Sequence, residues 1–196
     1  MALEVRTRDA CGRMSGGSEG GPRPSTEHLE RVVTVGADPF LLRPLRPEDG
    51  GAYSDFIARM DEQDLQHRFM PGGTATERRD LARYTQIDRN REMAFVAIRQ
   101  RGRAGGEIVG EVRAYRFPAG ATVELAIIVR SDMKGRGLGR ALMEKMIEYC
   151  RAGELEVIAQ IRPQNTAMMR LAERCGMEVE HRSGSDLAIA HMGGNR

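Results

Sequence analysis

Hydrophobic and polar residues follow two different periods along this chain, and the changes of period predict the order of its elements. An apolar run predicts an edge strand over residues 40–45, because Pro44 is tolerated where one side of a strand is unpaired. Pro47 then opens a helix. Apolar positions recur every three or four residues in this helix and in two shorter helical patterns: Tyr53, Phe56, Ile57 and Met60; Leu65, Phe69 and Met70; and, after Thr76, Leu81, Tyr84 and Ile87.

Three strands are predicted next, over residues 93–98, 108–117 and 123–129. Each is a run of mainly apolar and β-branched residues, and polar turns that contain glycine separate them. Connections this short join antiparallel neighbours, so this part of the chain predicts an antiparallel meander.

The second half of the chain has a different pattern. A helix over residues 138–151 precedes a buried strand over residues 155–161, and a strand–helix–strand unit of this size makes a parallel pair through a right-handed crossover. A helix over residues 165–175 and short strands over residues 177–181 and 187–191 complete the pattern. The predicted fold class is therefore α/β (α+β), with a mixed, mostly antiparallel sheet of about seven strands, one parallel pair and flanking helices.

The length of 196 residues fits one domain. Residues 1–37 are rich in glycine, proline and serine and bury too little apolar surface to offset the entropy of ordering them. We therefore expect a flexible tail there, a domain over residues 38–192, and a short C-terminal tail over residues 193–196.

Charge and cysteine content exclude several classes of protein. The formal net charge is only +2, which argues against binding to nucleic acid or to an anionic membrane, and no apolar run reaches the roughly 18 residues of a membrane span. The three cysteines and four histidines are scattered, so we expect neither disulfides nor a metal site. Because the first residues lack the apolar run of a signal peptide, we expect a cytoplasmic protein. Lys134 and Lys145 are its only lysines, and we expect Lys145 to be exposed.

A glycine-rich loop after the strand over residues 123–129 carries the clearest chemical signal. Gly135, Gly137 and Gly139 alternate there, just before the next helix, and glycine lets a backbone turn tightly and a ligand come close. A helix N-terminus beside such a loop attracts phosphate through its free N–H groups and its dipole. The chain lacks the Lys-Ser or Lys-Thr pair of a P-loop, and the antiparallel strands before the loop exclude a dinucleotide-binding fold. The loop therefore predicts a pyrophosphate site in a mixed sheet.

This loop resembles the signature of the GNAT superfamily of acetyl-CoA-dependent N-acetyltransferases, Gln/Arg-x-x-Gly-x-Gly/Ala. Residues 134–139 match it, with Lys134 in place of glutamine or arginine. Asn165, Leu171 and the pair Gly176-Met177 resemble the family's next motif, and the resemblance extends over about residues 40–191. It implies the GNAT fold, with the parallel pair of strands at the acetyl-CoA cleft, acetyl-CoA as co-substrate and no metal.

A closer resemblance is to the acetyltransferase domain of bacterial Pat-type protein lysine acetyltransferases. It rests on five segments, residues 42–49, 67–69, 85–88, 91–97 and 123–126. Enzymes of this type acetylate the active-site lysine of AMP-forming acyl-CoA synthetases. The resemblance therefore implies that the acceptor is a lysine side chain of a protein, such as an acyl-CoA synthetase.

The resemblance also implies roles for single residues. Glu124 is the only charged residue in the strand over residues 123–129 and would be the general base that takes the proton of the attacking amine. The N–H of Ile128 would face the thioester oxygen. The cofactor-binding residues implied are Ile127, Ile128, Val129, Lys134, Gly135, Arg136, Gly137, Leu138, Gly139, Arg140 and Asn165.

One feature of the family is missing from this chain. Many members carry a tyrosine, the general acid, directly after the leucine that Leu171 matches, and here Ala172 follows. We therefore assign no general acid. Two other functions stay open: a small-amine N-acetyltransferase acting on a polyamine, antibiotic or amino acid, and a CoA-binding sensor module. Turnover of small amines would identify the first, and CoA binding without turnover the second.

Overall fold

The structure, a computed structural model, describes residues 27–68, 84–100, 106–118, 120–181 and 186–193. Its strands and α-helices are, in chain order, β1 (Arg31–Val35), β2 (Asp38–Pro44), α1 (Gly50–Ala58), α2 (Glu62–Arg68), β3 (Glu92–Arg99), β4 (Glu107–Arg116), β5 (Thr122–Val129), α3 (Leu138–Ala152), β6 (Glu156–Ile161), α4 (Thr166–Arg174), β7 (Glu178–His181) and β8 (Ala188–Met192). Short 3₁₀ turns cover Glu27–Leu29, Pro47–Asp49 and Ser131–Met133.

The strands form one sheet in the order β1-β2-β3-β4-β5-β6-β8-β7. Every neighbouring pair is antiparallel except β5 and β6, which confirms the predicted mixed sheet with one parallel pair. The helical patterns predicted around Phe69 and Met70, and from Thr76 to Leu81, lie outside the described residues.

The sheet has eight strands rather than about seven, because it begins before the domain start predicted at residue 38. Arg31–Val35 pairs with β2, with Arg31 opposite Leu42 and Val35 opposite Asp38. Gly36, at φ +65°, supplies the left-handed residue that a tight hairpin turn needs. A strand of five residues beside a glycine-rich segment gives a weak pattern, and its pairing with β2 is what makes it a strand.

Two apolar cores lie on opposite faces of the sheet. On one face α3 packs through Leu138, Leu142, Met146 and Cys150. On the other face, α1 and α2 pack through Tyr53, Phe56 and Leu65. Among the described residues, no helix is long and apolar enough to cross a membrane.

Lys145 on α3 is buried, whereas the sequence led us to expect an exposed side chain. Its side chain is only 6% exposed, with Nζ 3.7 Å from a Glu148 carboxylate oxygen and 5.6 Å from the centre of the Phe95 ring. The prediction of an exposed lysine was wrong because the position borders the buried stripe of α3, where a long aliphatic stem covers apolar surface.

A charged network lies inside the core beneath α1. Glu111 and Arg113 on β4 are 0% and 1% exposed. Arg113 donates from Nε to Glu111 at 2.8 Å and from Nη1 to Glu92 at 3.0 Å, and the Tyr53 hydroxyl donates to the other Glu111 oxygen at 2.9 Å. The network is stable only as a unit, because each buried charge depends on its partner.

We expect Arg113→Met to lower the free energy of unfolding by about 3–5 kcal/mol, because it leaves the Glu111 carboxylate buried without a compensating cation. Urea denaturation measures this change. The double variant Glu111→Leu/Arg113→Met should recover much of the loss, because it removes both charges. Equal losses in the single and double variants would show that side-chain shape, and not charge, makes the network stabilising.

Candidate active site

The site begins where β5 and β6 separate. Their parallel pairing runs from Thr122 opposite Glu156 to Glu124 opposite Ile158, and no further pairing joins the described residues of these two strands. On its other side β5 stays paired with β4 as far as Val129. A gap therefore opens along one edge of β5 beyond Glu124.

The alternation of hydrogen bonds decides which peptide groups of β5 face this gap. Thr122 accepts from the Phe117 N–H at 3.1 Å, and the Arg130 N–H donates to Val109 at 3.0 Å, so even-numbered residues of β5 bond to β4. In an antiparallel ladder the direction alternates from one residue to the next, so the peptide groups of Ile127 and Val129 face the gap. The N–H of Ile128 therefore points at β4, contrary to the expectation that it faces the thioester oxygen, although Ile128 is among the residues that line the gap.

The N-terminus of α3 closes one end of the gap. Gly135 and Gly137 hold φ angles of +72° and +100°, where an L side chain is strained, and Gly137 is the residue before the helix begins. The turn, with Gly139 and Arg140 at the start of α3, lines the gap, so a helix N-terminus lies where phosphate can bind. Leu138, a predicted cofactor-binding residue, is fully buried in the core and is not among the residues that line the gap.

An ion pair fixes the base of this loop. Arg130 donates from Nε to Asp132 at 2.5 Å, from Nη2 to the other Asp132 oxygen at 2.9 Å, and from Nη1 to Glu107 at 2.6 Å. The hydrogen bond from Arg130 lowers the pKa of Asp132 below its ordinary value. These hydrogen bonds fix the position at which the loop leaves the sheet. The charge of Arg130 is compensated by the carboxylates of Asp132 and Glu107.

The gap widens into a cleft of about 880 Å³ between β5, the glycine loop and α4. Of the predicted cofactor-binding residues, ten line it: Ile127, Ile128, Val129, Lys134, Gly135, Arg136, Gly137, Gly139, Arg140 and Asn165. The structure thus brings together residues that lie up to 38 positions apart in the sequence, from Ile127 to Asn165.

The cleft is strongly basic. Its described lining contains five cationic side chains and a single acidic one, Asp64 of α2; the cations are Lys134, Arg136, Arg140, Arg170 and Arg174. The site residues predicted from the sequence did not include Arg170, Arg174 and Asp64. The four-residue spacing of the two arginines on a helix was a usable signal, whereas nothing in the sequence connects Asp64 with the loop. Such a lining favours an anionic ligand.

Glu124 lies at the end of the gap where β5 and β6 are still paired, because it is the last residue of β5 that pairs with β6. Its side chain is half-buried. It shares a sheet face with Ile128, since residues of a strand that are an even number apart point the same way, and that face carries α1 and α2. Glu124 is not among the residues that line the cleft. It marks the point on β5 at which the two strands begin to separate.

The start of α4 forms the opposite wall. Asn165 caps this helix, its side-chain oxygen accepting from the Met168 N–H at 3.1 Å. The residue after Leu171 is Ala172, which is fully buried. This position of α4 therefore offers no tyrosine hydroxyl to act as a general acid. Tyr149 packs edge-on against Phe95 with ring centres 5.9 Å apart and does not line the cleft.

Gly139→Val tests whether this cleft binds acetyl-CoA. An added Cβ would lie 3.6 Å from Leu171 and 3.7 Å from Val129, so the two further methyl groups of valine crowd the space between β5 and α4. We expect acetyl-CoA to bind about five- to 150-fold more weakly in calorimetry, because such crowding costs about 1–3 kcal/mol.

Gly51→Val is the matched control, since Gly51 is also helical and its added Cβ meets nothing within 4 Å. It reports the cost of placing valine in a helix away from the cleft. Acetyl-CoA affinity that is unchanged in both variants would contradict the assignment of the cleft.

Comparisons with known proteins agree with this geometry. The family model described as "Acetyltransferase (GNAT) domain" matches residues 40–178, which include β5, α3, β6 and α4. L-methionine sulfoximine/L-methionine sulfone acetyltransferase of Pseudomonas aeruginosa is 38% identical over 82 residues, a match that covers 39% of this chain and 47% of that protein. The chain spans about half the length of the curated relatives it matches.

Solved structures of other proteins share the fold. The GNAT domain of S. lividans PAT superposes with a TM-score of 0.74 at 21% identity, covering 86% of this chain and 99% of that chain. Mycobacterium smegmatis RimJ, solved in complex with CoA-disulfide, gives a TM-score of 0.61 at 21% identity, covering 84% of this chain and 86% of that chain. At these identities the likeness concerns the arrangement of the elements.

Proposed function

We infer the function from one premise: the chain belongs to the GNAT acetyltransferase family, whose domain model matches residues 40–178. We propose that it transfers the acetyl group of acetyl-CoA to the side-chain amine of a lysine in a target protein, such as an acyl-CoA synthetase. The observation that carries the proposal is the basic cleft at the separation of β5 and β6, which the glycine loop lines. Glu124 is the last residue of β5 paired with β6, at the point where the two strands begin to separate. We place the enzyme in the cytoplasm, with no nucleic-acid or membrane partner.

Acetyl-CoA fits this cleft in one direction. Its phosphates would bind the backbone N–H groups of residues 135–140 and the cations around them, because both a helix N-terminus and basic side chains favour anions. Its pantetheine arm would lie along β5 and bond to the peptide groups of Ile127 and Val129, which face the gap. This orientation directs the thioester towards Glu124. Mycobacterium smegmatis RimJ, with the same fold, was solved in complex with CoA-disulfide, which supports CoA as the ligand.

Glu124 would prepare the amine for attack. A lysine ammonium has a pKa of about 10.4, so supplying the neutral amine at pH 7 costs about 4.6 kcal/mol. The Glu124 carboxylate would take one proton, directly or through water. The amine nitrogen then bonds to the thioester carbonyl carbon and gives its second proton to water. The carbon–sulfur bond breaks, and CoA leaves as a thiolate that takes a proton from solvent. A gap-facing N–H of β5 would stabilise the oxyanion that forms meanwhile.

The proposal that the acceptor is a protein rests on the segments that resemble Pat-type enzymes, above all residues 42–49 and 123–126. The fold likeness to the GNAT domain of S. lividans PAT is consistent with it. The curated relative named for methionine sulfoximine favours a second candidate, a small-amine acetyltransferase. A third candidate is a CoA-binding sensor without turnover.

We expect Glu124→Gln to lower turnover by roughly 10²–10⁴-fold at pH 7, the usual contribution of a positioned base, while acetyl-CoA binding is kept. The loss should shrink as the pH rises towards 10, because the amine then loses its proton without help. Release of the CoA thiol, followed at each pH, measures both effects. Wild-type turnover by the variant at neutral pH would remove Glu124 from the mechanism.

Mass spectrometry of acetylated products separates the three candidates. We expect the enzyme and acetyl-CoA to acetylate lysines of a purified acyl-CoA synthetase. Each site gains about 42 Da, because an acetyl group replaces a hydrogen. The Glu124→Gln variant is the control for acetylation by acetyl-CoA without the catalytic base. Turnover confined to free amino acids or polyamines would favour the second candidate. Binding of CoA with no acetylated product of either kind would favour the third.

A further inference from the structure

Asp64 is an acidic side chain inside a basic cleft. It extends from α2 to the glycine loop, where its Oδ1 forms an ion pair with the Lys134 ammonium and its Oδ2 accepts from the Ser131 hydroxyl at 2.8 Å. The Asp64 side chain is 14% exposed and that of Lys134 is 48% exposed. Both residues line the cleft, so the ion pair lies within the space assigned to the cofactor.

The pair connects α2 with the loop that precedes α3. On its buried side α2 packs through Leu65 into the core beneath the sheet. On the cleft side, Asp64 ties the same helix to the loop that opens α3. Among the described residues that line the cleft, Arg140 also pairs with a carboxylate, but its partner Glu144 lies on the same helix.

Lys134 cannot give its full charge to two anions at once. Its half-exposed ammonium holds the Asp64 carboxylate, while the phosphates of CoA need cations at the same loop. An ammonium has three N–H donors, so it can hold a phosphate as well, but its positive charge is then shared with the Asp64 carboxylate. The Asp64 carboxylate therefore weakens the attraction of this loop for phosphate, and the Ser131 hydroxyl, which donates to its Oδ2 at 2.8 Å, keeps it at the loop.

We propose that Asp64 is an internal competitor for Lys134, which weakens the binding of CoA phosphates and speeds the release of the CoA product. The proposal rests on the proposed function, because it takes the cleft to be the CoA site. Asp64 acts through Lys134 and touches no reacting atom, so it is a positioning residue. Its effect concerns the phosphate end of the cofactor and leaves the acetyl end unchanged.

A double-mutant cycle tests the competition. We expect Asp64→Asn to bind CoA about two- to fivefold more tightly, the range for a partly exposed ion pair, and to release it correspondingly more slowly in stopped-flow displacement. In a Lys134→Gln background the Asp64→Asn change should have no effect, since no ammonium remains to be freed. Glu62→Gln, which removes the same charge from the exposed start of α2, should leave both constants unchanged.

Three outcomes would overturn the competition. Equal tightening in both backgrounds would show that Asp64 acts only through its general negative field. Weaker binding in Asp64→Asn would show that the pair supports the site instead of competing with the ligand. A lowered melting temperature with unchanged CoA release would make the pair structural.

A donor without phosphates gives an independent readout. The KM for S-acetyl-pantetheine should be the same in the wild type and in Asp64→Asn, whereas the KM for acetyl-CoA should fall in the variant. Equal falls for both donors would contradict a role at the phosphates. The proposed function fails separately, if neither the wild type nor any variant binds CoA.

Discussion

The loss of strand pairing beyond Glu124 is the constraint on which the rest of the site depends. A strand edge without a partner strand leaves N–H and C=O groups that need hydrogen bonds from water or a ligand. Here those groups belong to Ile127 and Val129, because the ladder with β4 has already used the peptide groups of the even-numbered residues. An extended ligand with amide groups of its own meets that need in the way an added strand would.

The charges around this edge follow from the same geometry. When β5 ends, the chain must cross to α3, and the hydrogen bonds of Arg130 fix where it leaves the sheet. The glycine loop then aims the N-terminus of α3 at the gap, and α4 brings its arginines to the opposite wall. The lining of the cleft is therefore basic, and the Glu124 carboxylate lies outside that lining, where β5 and β6 begin to separate. Among the described residues that line the cleft, Asp64 is the acidic one, and its carboxylate is held by Lys134 and Ser131.

Sequence predicted those features that depend on neighbouring residues. Periodicity found the order of strands and helices, the crossover predicted the parallel pair, and the alternating glycines predicted the loop that lines the cleft. Features that depend on distant residues escaped it. Strand β1 exists because β2 pairs with it, Lys145 is buried because α3 packs against Phe95, and the direction of the Ile128 peptide depends on the register with β4. Asp64 meets Lys134 across 70 residues of sequence, a distance at which local patterns carry no information.

Amide hydrogen exchange, resolved to single residues by NMR, tests most directly whether acetyl-CoA binds along the open edge of β5. Exchange slows where an N–H is held in a hydrogen bond. We expect Ile127 and Val129 to gain protection when acetyl-CoA is added, while Ile128, already bonded to β4, is protected with and without it. Unchanged exchange at Ile127 and Val129 under saturating acetyl-CoA would contradict the account.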